Sequence, residues 1–363
     1  MSNPIPNLAA FIPSPGASLI LQERPIPSPG PGELLIRNLA LAINPMDWKR
    51  QSFNFAIPSY PAIIGTDIAG VVVAVGPDVT TFKPGDRVLA AAPEFVTQNP
   101  DHSGFQTYTT VLAGVAAKIP ENVSLAEAAT LPVAVATATI AVFDVLGLPV
   151  PSSSAEGSKP ATASGTATNA GILVWGGASS AGSAIIQFAR LAGLTVYATA
   201  SPQHHAWLQG LGAKAVVDYR SPTAVEELLA AAREVGTPIT LAVDAIATEE
   251  TLALVGQVLE RSAEVEGQAK TLAHLLPWPD ALAKPEGVRT EFVAGGRIWK
   301  ERLDFGRLVF NELLGKWLEG GKVVPSKVQV VEGGLGGLQA GIDLVKKGVS
   351  GVKVVVELKE YLN

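Results

Sequence analysis

The sequence predicts an α/β protein: a doubly wound parallel sheet together with a second domain of short antiparallel strands. Three observations carry this. Residues 33–92 consist of short β-branched runs cut by turn residues, residues 171–247 alternate strand and helix, and the chain from Phe305 onward returns to both patterns. At 363 residues the chain exceeds the size at which one hydrophobic core keeps growing, so two domains are expected.

The elements follow in order. ELLIRNLALAINP from Glu33, GTDIAGVVVAVGPDV from Gly65 and KPGDRVLA from Lys83 read as antiparallel strands with Pro and Gly at their corners. Asn44-Pro45 reads as a turn that ends the first of these strands, with an acid, an indole and a base, Asp47, Trp48 and Lys49, directly after it. From Ser124 the spacing becomes helical in SLAEAATLPVAVATATIAVFDVLGL, with Ser124 as N-cap and Glu127 as its capping-box partner. The apolar window from Leu131 contains Thr137, Thr139 and Asp144 and has proline near both ends, so a buried helix is expected rather than a membrane span. Residues 148–170 are rich in Pro, Ser, Ala, Gly and Thr, cannot bury a face, and read as a surface insertion. Then GILVWGG, SSAGSAIIQFARLAG, LTVYATA, HHAWLQGLGA, AVVDY, AVEELLAAAREVG and ITLAVDAIA form a βαβαβ series, the signature of a parallel sheet covered by helices. The C-terminal part reads as helix at FGRLVFNELLGKWLEGG, strand at KVQVVEG, helix at GLQAGIDLVKKG and strand at VKVVVEL.

Composition excludes several function classes. The chain has no cysteine, so disulfides, thiolate nucleophiles, iron–sulfur clusters and cysteine-built zinc sites are excluded. The four histidines, His102, His204, His205 and His274, form no metal-binding spacing, and the adjacent pair reads as a surface turn, so no metal is expected. A net charge of -6 without a long basic run argues against a nucleic-acid partner. The start MSNPIPNLAAFIPSPG lacks the basic flank and apolar core of a secretory signal, which leaves a cytoplasmic location as the default. Monomer and homodimer remain equally open.

A cofactor motif lies in ILVWGGASSAGSAIIQFAR. Gly176, Gly177 and Gly182 stand between an apolar strand and an amphipathic helix, where a tight turn, backbone amides and a positive helix end combine to receive a pyrophosphate. The candidate contacts are Gly177, Ala178, Ser179, Ser180, Ala181 and Gly182. An NAD site would show an acidic residue about 20 residues further on; here the second strand ends in Ala200 and Ser201 and is followed by His204 and His205. Without a carboxylate a ribose 2′-phosphate is acceptable, and Ser201, His204 and Tyr219 are the candidates to meet it, so NADP(H) is expected. The alternative for these residues is a strand-end aromatic and a solvated imidazole pair.

INPMDWK, GTDIAGVVVAVGPDVTTFKPGDRV, the TA of VATATIAV, GGASSAG, SPQHH, VDYR and SGVKVVVEL together resemble the medium-chain dehydrogenase/reductase superfamily over nearly the whole chain. The resemblance implies a GroES-like β domain formed from both chain ends, residues 1–138 and 306–363, with a Rossmann domain at 139–305. In zinc-dependent members a Cys stands at the place of Asn44 and a His-Glu pair at Thr66 and Asp67; both anchors are missing here. The chain resembles instead the zinc-free branch, and most closely the fungal trans-acting enoyl reductases that partner polyketide synthases, the lovastatin type included.

That resemblance implies catalytic roles for Lys49 and Thr137 beside the nicotinamide and the substrate carbonyl. It also implies cofactor contacts at Pro45, Asp47, Trp48, Leu275, Ser350 and Lys353, and a substrate pocket that includes Leu131, Phe292 and Gly295. The other readings are a surface cation for Lys49 and a self-bonded helix hydroxyl for Thr137. Tyr60 is a weaker candidate for protonating the α-carbon.

The leading function is NADPH-dependent reduction of the C=C bond of an α,β-unsaturated carbonyl compound, an enoyl thioester or related enone, with a polyketide synthase as the implied partner. A quinone or broad-specificity enone reductase and a non-catalytic NADPH-binding sensor or scaffold stand beside it.

Overall fold

The computed structural model describes residues 5–151 and 170–358. Most of the expected surface insertion, residues 152–169, lies outside the described residues. The chain begins with β1 (Asn7–Ile12), β2 (Ile20–Arg24), β3 (Glu33–Ala42) and helix α1 (Pro45–Phe53). It continues through β4 (Ala62–Ile63), β5 (Asp67–Val75), β6 (Arg87–Ala91), β7 (Tyr108–Leu112), β8 (Ala116–Lys118), α2 (Leu125–Ala129) and α3 (Pro132–Thr139). The parallel-sheet portion follows as β9 (Gly171–Trp175), α4 (Ser180–Leu191), β10 (Thr195–Thr199), α5 (His205–Leu211), β11 (Ala213–Val217), α6 (Ala224–Val235), β12 (Ile239–Asp244), α7 (Glu249–Arg261), β13 (Lys270–His274) and β14 (Val288–Phe292). Last come β15 (Val328–Val331), α8 (Leu338–Lys347) and β16 (Lys353–Glu357).

Two compact units result. One comprises Met1–Val133, Gly296–Gly321 and Pro325–Asn363; the other comprises Ala134–Gly295 and Lys322–Val324.

The first unit holds a seven-stranded sheet in the order β15-β16-β3-β5-β6-β8, with β7 also on β3, and a three-stranded sheet β2-β1-β4. Strands from the N-terminal and C-terminal parts of the chain, β3 and β16 among them, share the larger sheet, as the resemblance to a GroES-like domain implies. β3 organises it, because Leu34, Ile36 and Leu41 on that strand are fully buried and pack with Ile68, Val72, Val354 and Val356 of its neighbours. The end of β3 is pinned on both sides: Ala42 pairs with Val355 of β16 and with Asp67 of β5, both antiparallel. This register carries whatever flanks those positions to one place.

The second unit is a six-stranded sheet in the order β11-β10-β9-β12-β13-β14, parallel throughout. This is the doubly wound order in which ligands bind beyond the carboxyl ends of the strands, where the order reverses. α4 is buried from Gly182 to Ala189, with Phe188 stacked on Phe143 at 5.7 Å between ring centroids. The last two strands escape the sequence pattern. β13 and β14 are separated by the proline-containing stretch 275–287, and β14 is a mostly exposed edge strand whose alternating Arg289 and Glu291 hide its pairing.

Three further expectations are corrected. Asn44-Pro45 does not end structure in a turn; it starts α1, with Asn44 at the N-cap and Pro45 at the first helical position. Proline suits that position because its missing N–H needs no partner there. The helix expected to run on from Ser124 breaks at Thr130–Leu131 before Pro132, which disfavours helical geometry in the residue ahead of it. The capping box itself forms, with Glu127 N–H donating to Ser124 Oγ at 3.2 Å and Ser124 N–H donating to Glu127 Oε2 at 2.9 Å. Finally, the helix expected at Phe305 is wound as a π-helix over Arg307–Leu314 between two short α-helical turns.

Candidate active site and cofactor turn

In the first unit the convergence of β16, β3 and β5 joins three polar side chains. Lys353 Nζ lies 2.9 Å from Asp67 Oδ2 and also donates to Asn44 Oδ1, while Asn44 Nδ2 donates to Asp67 Oδ2 at 2.9 Å. The other carboxylate oxygen of Asp67 accepts from the Val133 N–H at 2.7 Å. Lys353 is 4% exposed, Asp67 0% and Asn44 6%, so the network is sealed from water. In such a setting a charge survives only when it is paired and hydrogen-bonded.

The same network fixes the start of α1. With the Asn44 side chain occupied by Asp67 and Lys353, the helix opening is closed by Asp47, whose Oδ2 accepts from the Asn44 N–H at 2.7 Å. Burial pushes the Asp47 carboxyl up to about 7, against the opposing pull of the Asn44 N–H and the charges of Arg50 and Lys353. One turn further on, buried Arg50 makes a two-pronged ion pair with Glu94, at 2.6 and 2.9 Å, and lies over the Phe95 ring.

Lys49, between these anchors, is half-buried. Its ammonium sits 5.8 Å from the centroid of the Trp48 ring, and among the described residues it makes no ion pair. Trp48 in turn meets Phe53 edge-on at 5.7 Å, and Pro45 is exposed. Tyr60 donates its hydroxyl to Asn54 Oδ1. Ser350, in the turn before β16, is exposed. Leu131 is 3% exposed. Among the described residues no group of three or more His, Asp or Glu is placed to hold a metal ion.

In the second unit the glycine turn meets the geometric needs of a pyrophosphate site. A Cβ on Gly182 would stand 2.3 Å from the Gly176 carbonyl oxygen, and one on Gly177 would crowd Ile186, Leu208 and Ala198 at 3.0–3.2 Å. Gly176 has φ +77°, where a side chain is strained. The Ser179 hydroxyl closes the turn, accepting from Gly182 N–H at 3.0 Å and donating to the Gly176 carbonyl at 2.8 Å. Gly177 N–H is spent on the Thr199 carbonyl at 2.9 Å. The amides of Ser180 and Ala181, in the first turn of α4, have no intrahelical acceptor and remain for an anion. These residues fit a dinucleotide phosphate.

At the end of β10, Ser201 is half-buried, and His204 is 7% exposed with its ring against Trp207. His205 donates from its ring to the Ala200 carbonyl at 2.9 Å. The histidine pair is therefore not the solvated turn that its sequence suggests. Tyr219 is 45% exposed beneath the Arg220 guanidinium. Leu275 follows β13 directly, and its N–H donates to the Asp244 carbonyl at 3.2 Å.

Thr137 is half-buried on α3, and among the described residues its hydroxyl has no hydrogen-bond partner, so the backbone bond of the alternative reading is absent. Its Oγ1 lies 3.7 Å from where a Cβ on Gly295 would be, which brings these two candidates together. Phe292 is 42% exposed, its ring 6.0 Å from that of His274.

Sequence reasoning missed two groups. Asp244 accepts from Ile246 N–H, Ala247 N–H and the Thr251 hydroxyl, and faces His274 on the adjacent strand. Burial raises the Asp244 carboxyl and lowers the His274 imidazole from their ordinary ranges. The Arg50–Glu94 pair joins residues 44 apart in sequence, so no local spacing signals it.

Comparison with known proteins agrees with this architecture. The alcohol dehydrogenase GroES-like domain family matches residues 30–136. A trans-enoyl reductase of Aspergillus japonicus is 37% identical over 327 residues, covering 90% of each chain. One from Aspergillus flavipes is 36% identical over 358 residues, 96% of this chain and 98% of that one. The enoyl reductase component of the lovastatin nonaketide synthase of Aspergillus terreus is 34% identical over 343 residues, 90% of this chain and 89% of its own. Among solved structures, an alcohol dehydrogenase superfamily protein from Novosphingobium aromaticivorans shares the fold with a TM-score of 0.76 at 22% identity, covering 97% of this chain and 99% of that one. The chain belongs to the medium-chain dehydrogenase/reductase family of oxidoreductases, with fungal trans-enoyl reductases among its full-length relatives.

Proposed function

We propose that this protein reduces the C=C bond of an enoyl thioester or related enone with NADPH, without zinc, acting in trans on intermediates of a polyketide synthase. The observation that carries the reading is Lys49. It is half-buried and free of any ion pair among the described residues, and it stands on a helix locked by buried polar groups on either side of it. A surface cation needs no such foundation. The names of the full-length relatives supply the substrate class.

When bound, a nicotinamide cofactor would supply the hydride for the β-carbon of the substrate. The chain's own part is to bind, orient and donate. The Ser180 and Ala181 amides would hold the pyrophosphate, with Ser201 and Tyr219 around the 2′-phosphate and His204 bracing the turn by donating its backbone N–H to the Ser201 carbonyl at 2.9 Å. As hydride arrives, negative charge gathers on the substrate carbonyl oxygen, and Lys49 Nζ donates to it, with the uncommitted Thr137 hydroxyl as second donor. The α-carbon proton comes from water, since the Tyr60 hydroxyl is already given to Asn54. Leu131, Phe292 and Gly295 are proposed as pocket walls, and Leu275 and Ser350 as cofactor contacts. Lys353 is proposed to serve the cofactor through the position of α1 rather than by touching it.

The test is loss of NADPH absorbance with a crotonyl thioester, a quinone and no added acceptor. Turnover of the thioester supports the reading. Turnover of the quinone alone would replace it with quinone reduction, and silence in all three would replace it with a sensor or scaffold.

A further inference from the structure

We infer that Arg220 is the residue that selects NADPH over NADH, by giving the 2′-phosphate its cationic partner. This rests on the cofactor reading above and adds a residue to it. A 2′-phosphate needs a positive or multiply donating group. The end of β10 offers little of either. The His205 ring is committed to the Ala200 carbonyl, and His204 is turned inward against Trp207. Ser201 can contribute one neutral hydroxyl.

The neighbouring strand end supplies what is lacking. β10 and β11 run parallel with Thr199 opposite Val217, and Ala200 N–H donates to the Val217 carbonyl at 3.0 Å, so Ser201 and the Asp218-Tyr219-Arg220 turn leave the sheet side by side. Between residues 199–206 and 217–223, the two strand ends and the turns that follow them, Arg220 is the single Lys or Arg. Its side chain is 57% exposed yet held in place. Nε and one Nη donate to the two oxygens of Asp218, each at 3.1 Å, and the guanidinium lies 5.5 Å from the centroid of the Tyr219 ring. Two of its five N–H donors are thereby used, which leaves the others for a phosphate in a fixed orientation. Asp218 serves as the positioning residue, and its charge is compensated by the arginine it holds.

The experiment titrates the parent protein and Arg220→Gln with NADPH and NADH by fluorescence, and with 2′,5′-ADP and 5′-AMP by calorimetry, at low and high salt. Arg220→Gln should weaken NADPH and 2′,5′-ADP about tenfold, or about 1.4 kcal/mol, leaving NADH and 5′-AMP within about twofold and removing most of the salt dependence. An NADPH-to-NADH affinity ratio equal to that of the parent, or equal weakening of both, overturns the inference while the cofactor reading stands. A parent that binds neither dinucleotide overturns both. Asp218→Asn keeps the test available if Arg220→Gln does not fold: it loosens the guanidinium that Asp218 holds through both oxygens and should lower the preference for NADPH, and an unchanged preference overturns the inference.

Discussion

Replacing Lys353 by methionine tests whether the first unit depends on its buried polar network. The substitution preserves much of the side-chain volume and deletes the ammonium that lies 2.9 Å from Asp67 Oδ2. Removing one partner of a buried ion pair typically costs about 3–5 kcal/mol. Asp67 would keep two donors, Asn44 Nδ2 and the Val133 N–H, which places the loss at the lower end. Asn44 Oδ1 would also lose its donor, adding about 1 kcal/mol. The expected destabilisation is therefore about 3–4 kcal/mol, read from urea unfolding followed by fluorescence and circular dichroism, with coincident transitions required before a single free energy is quoted. Asp67→Asn in the Lys353→Met background should recover a good part of it, because a neutral amide no longer needs a counter-charge. A single mutant within about 1 kcal/mol of the parent would refute the argument. So would a stable mutant that has lost NADPH affinity, which would make Lys353 a direct cofactor contact.

Lys49→Met should lower kcat by a factor on the order of 10² to 10³ with NADPH affinity largely intact, because the donor acts mainly in the transition state; Lys83→Met, in an exposed turn, is the control, and equal activity of the two variants would make Lys49 an ordinary surface lysine. The Asp47 carboxyl, raised from 3.8 to about 7 by burial, binds its proton more tightly in the folded state. Its contribution to stability is then fully present below about pH 4 and lost as pH rises through about 7. Asp47→Asn should consequently gain on the parent in unfolding free energy as pH is raised across that window, and a pH-independent difference would contradict the assignment. Activity should survive exhaustive chelation, with elemental analysis finding no stoichiometric zinc; one tightly held zinc per chain would restore a metal-assisted mechanism. Tyr219→Phe should narrow a preference for NADPH of at least about tenfold by deleting only the hydroxyl, as measured by titration with both cofactors.

The sequence by itself determined the features whose causes are local. Glycines around a strand–helix junction, the Ser124–Glu127 capping box and the alternation of apolar runs with helical spacing act between neighbours, so they can be read from a single stretch of chain. The order of elements, the parallel sheet and the glycine turn were legible on that basis. Asn44-Pro45 shows the limit of local reading, since the dipeptide that follows the end of β3 serves as a loop turn or as the start of a helix equally well until the partners of Asn44 are known. Tertiary structure alone decided the polar site. Lys353, Asn44 and Asp67 meet because β3 is flanked by β16 and β5 in a register that places Val355 and Asp67 opposite Ala42. Lys353 and Asn44 are 309 residues apart. A hydrogen bond over that separation leaves no periodicity in the sequence, and its strength comes from burial, which is a property of the packed sheets. The histidine pair shows the same limit from the other side: adjacent polar rings suggest a solvated turn, but their positions at the end of β10 turn His204 inward and leave Arg220, in the turn after β11, as the exposed cation.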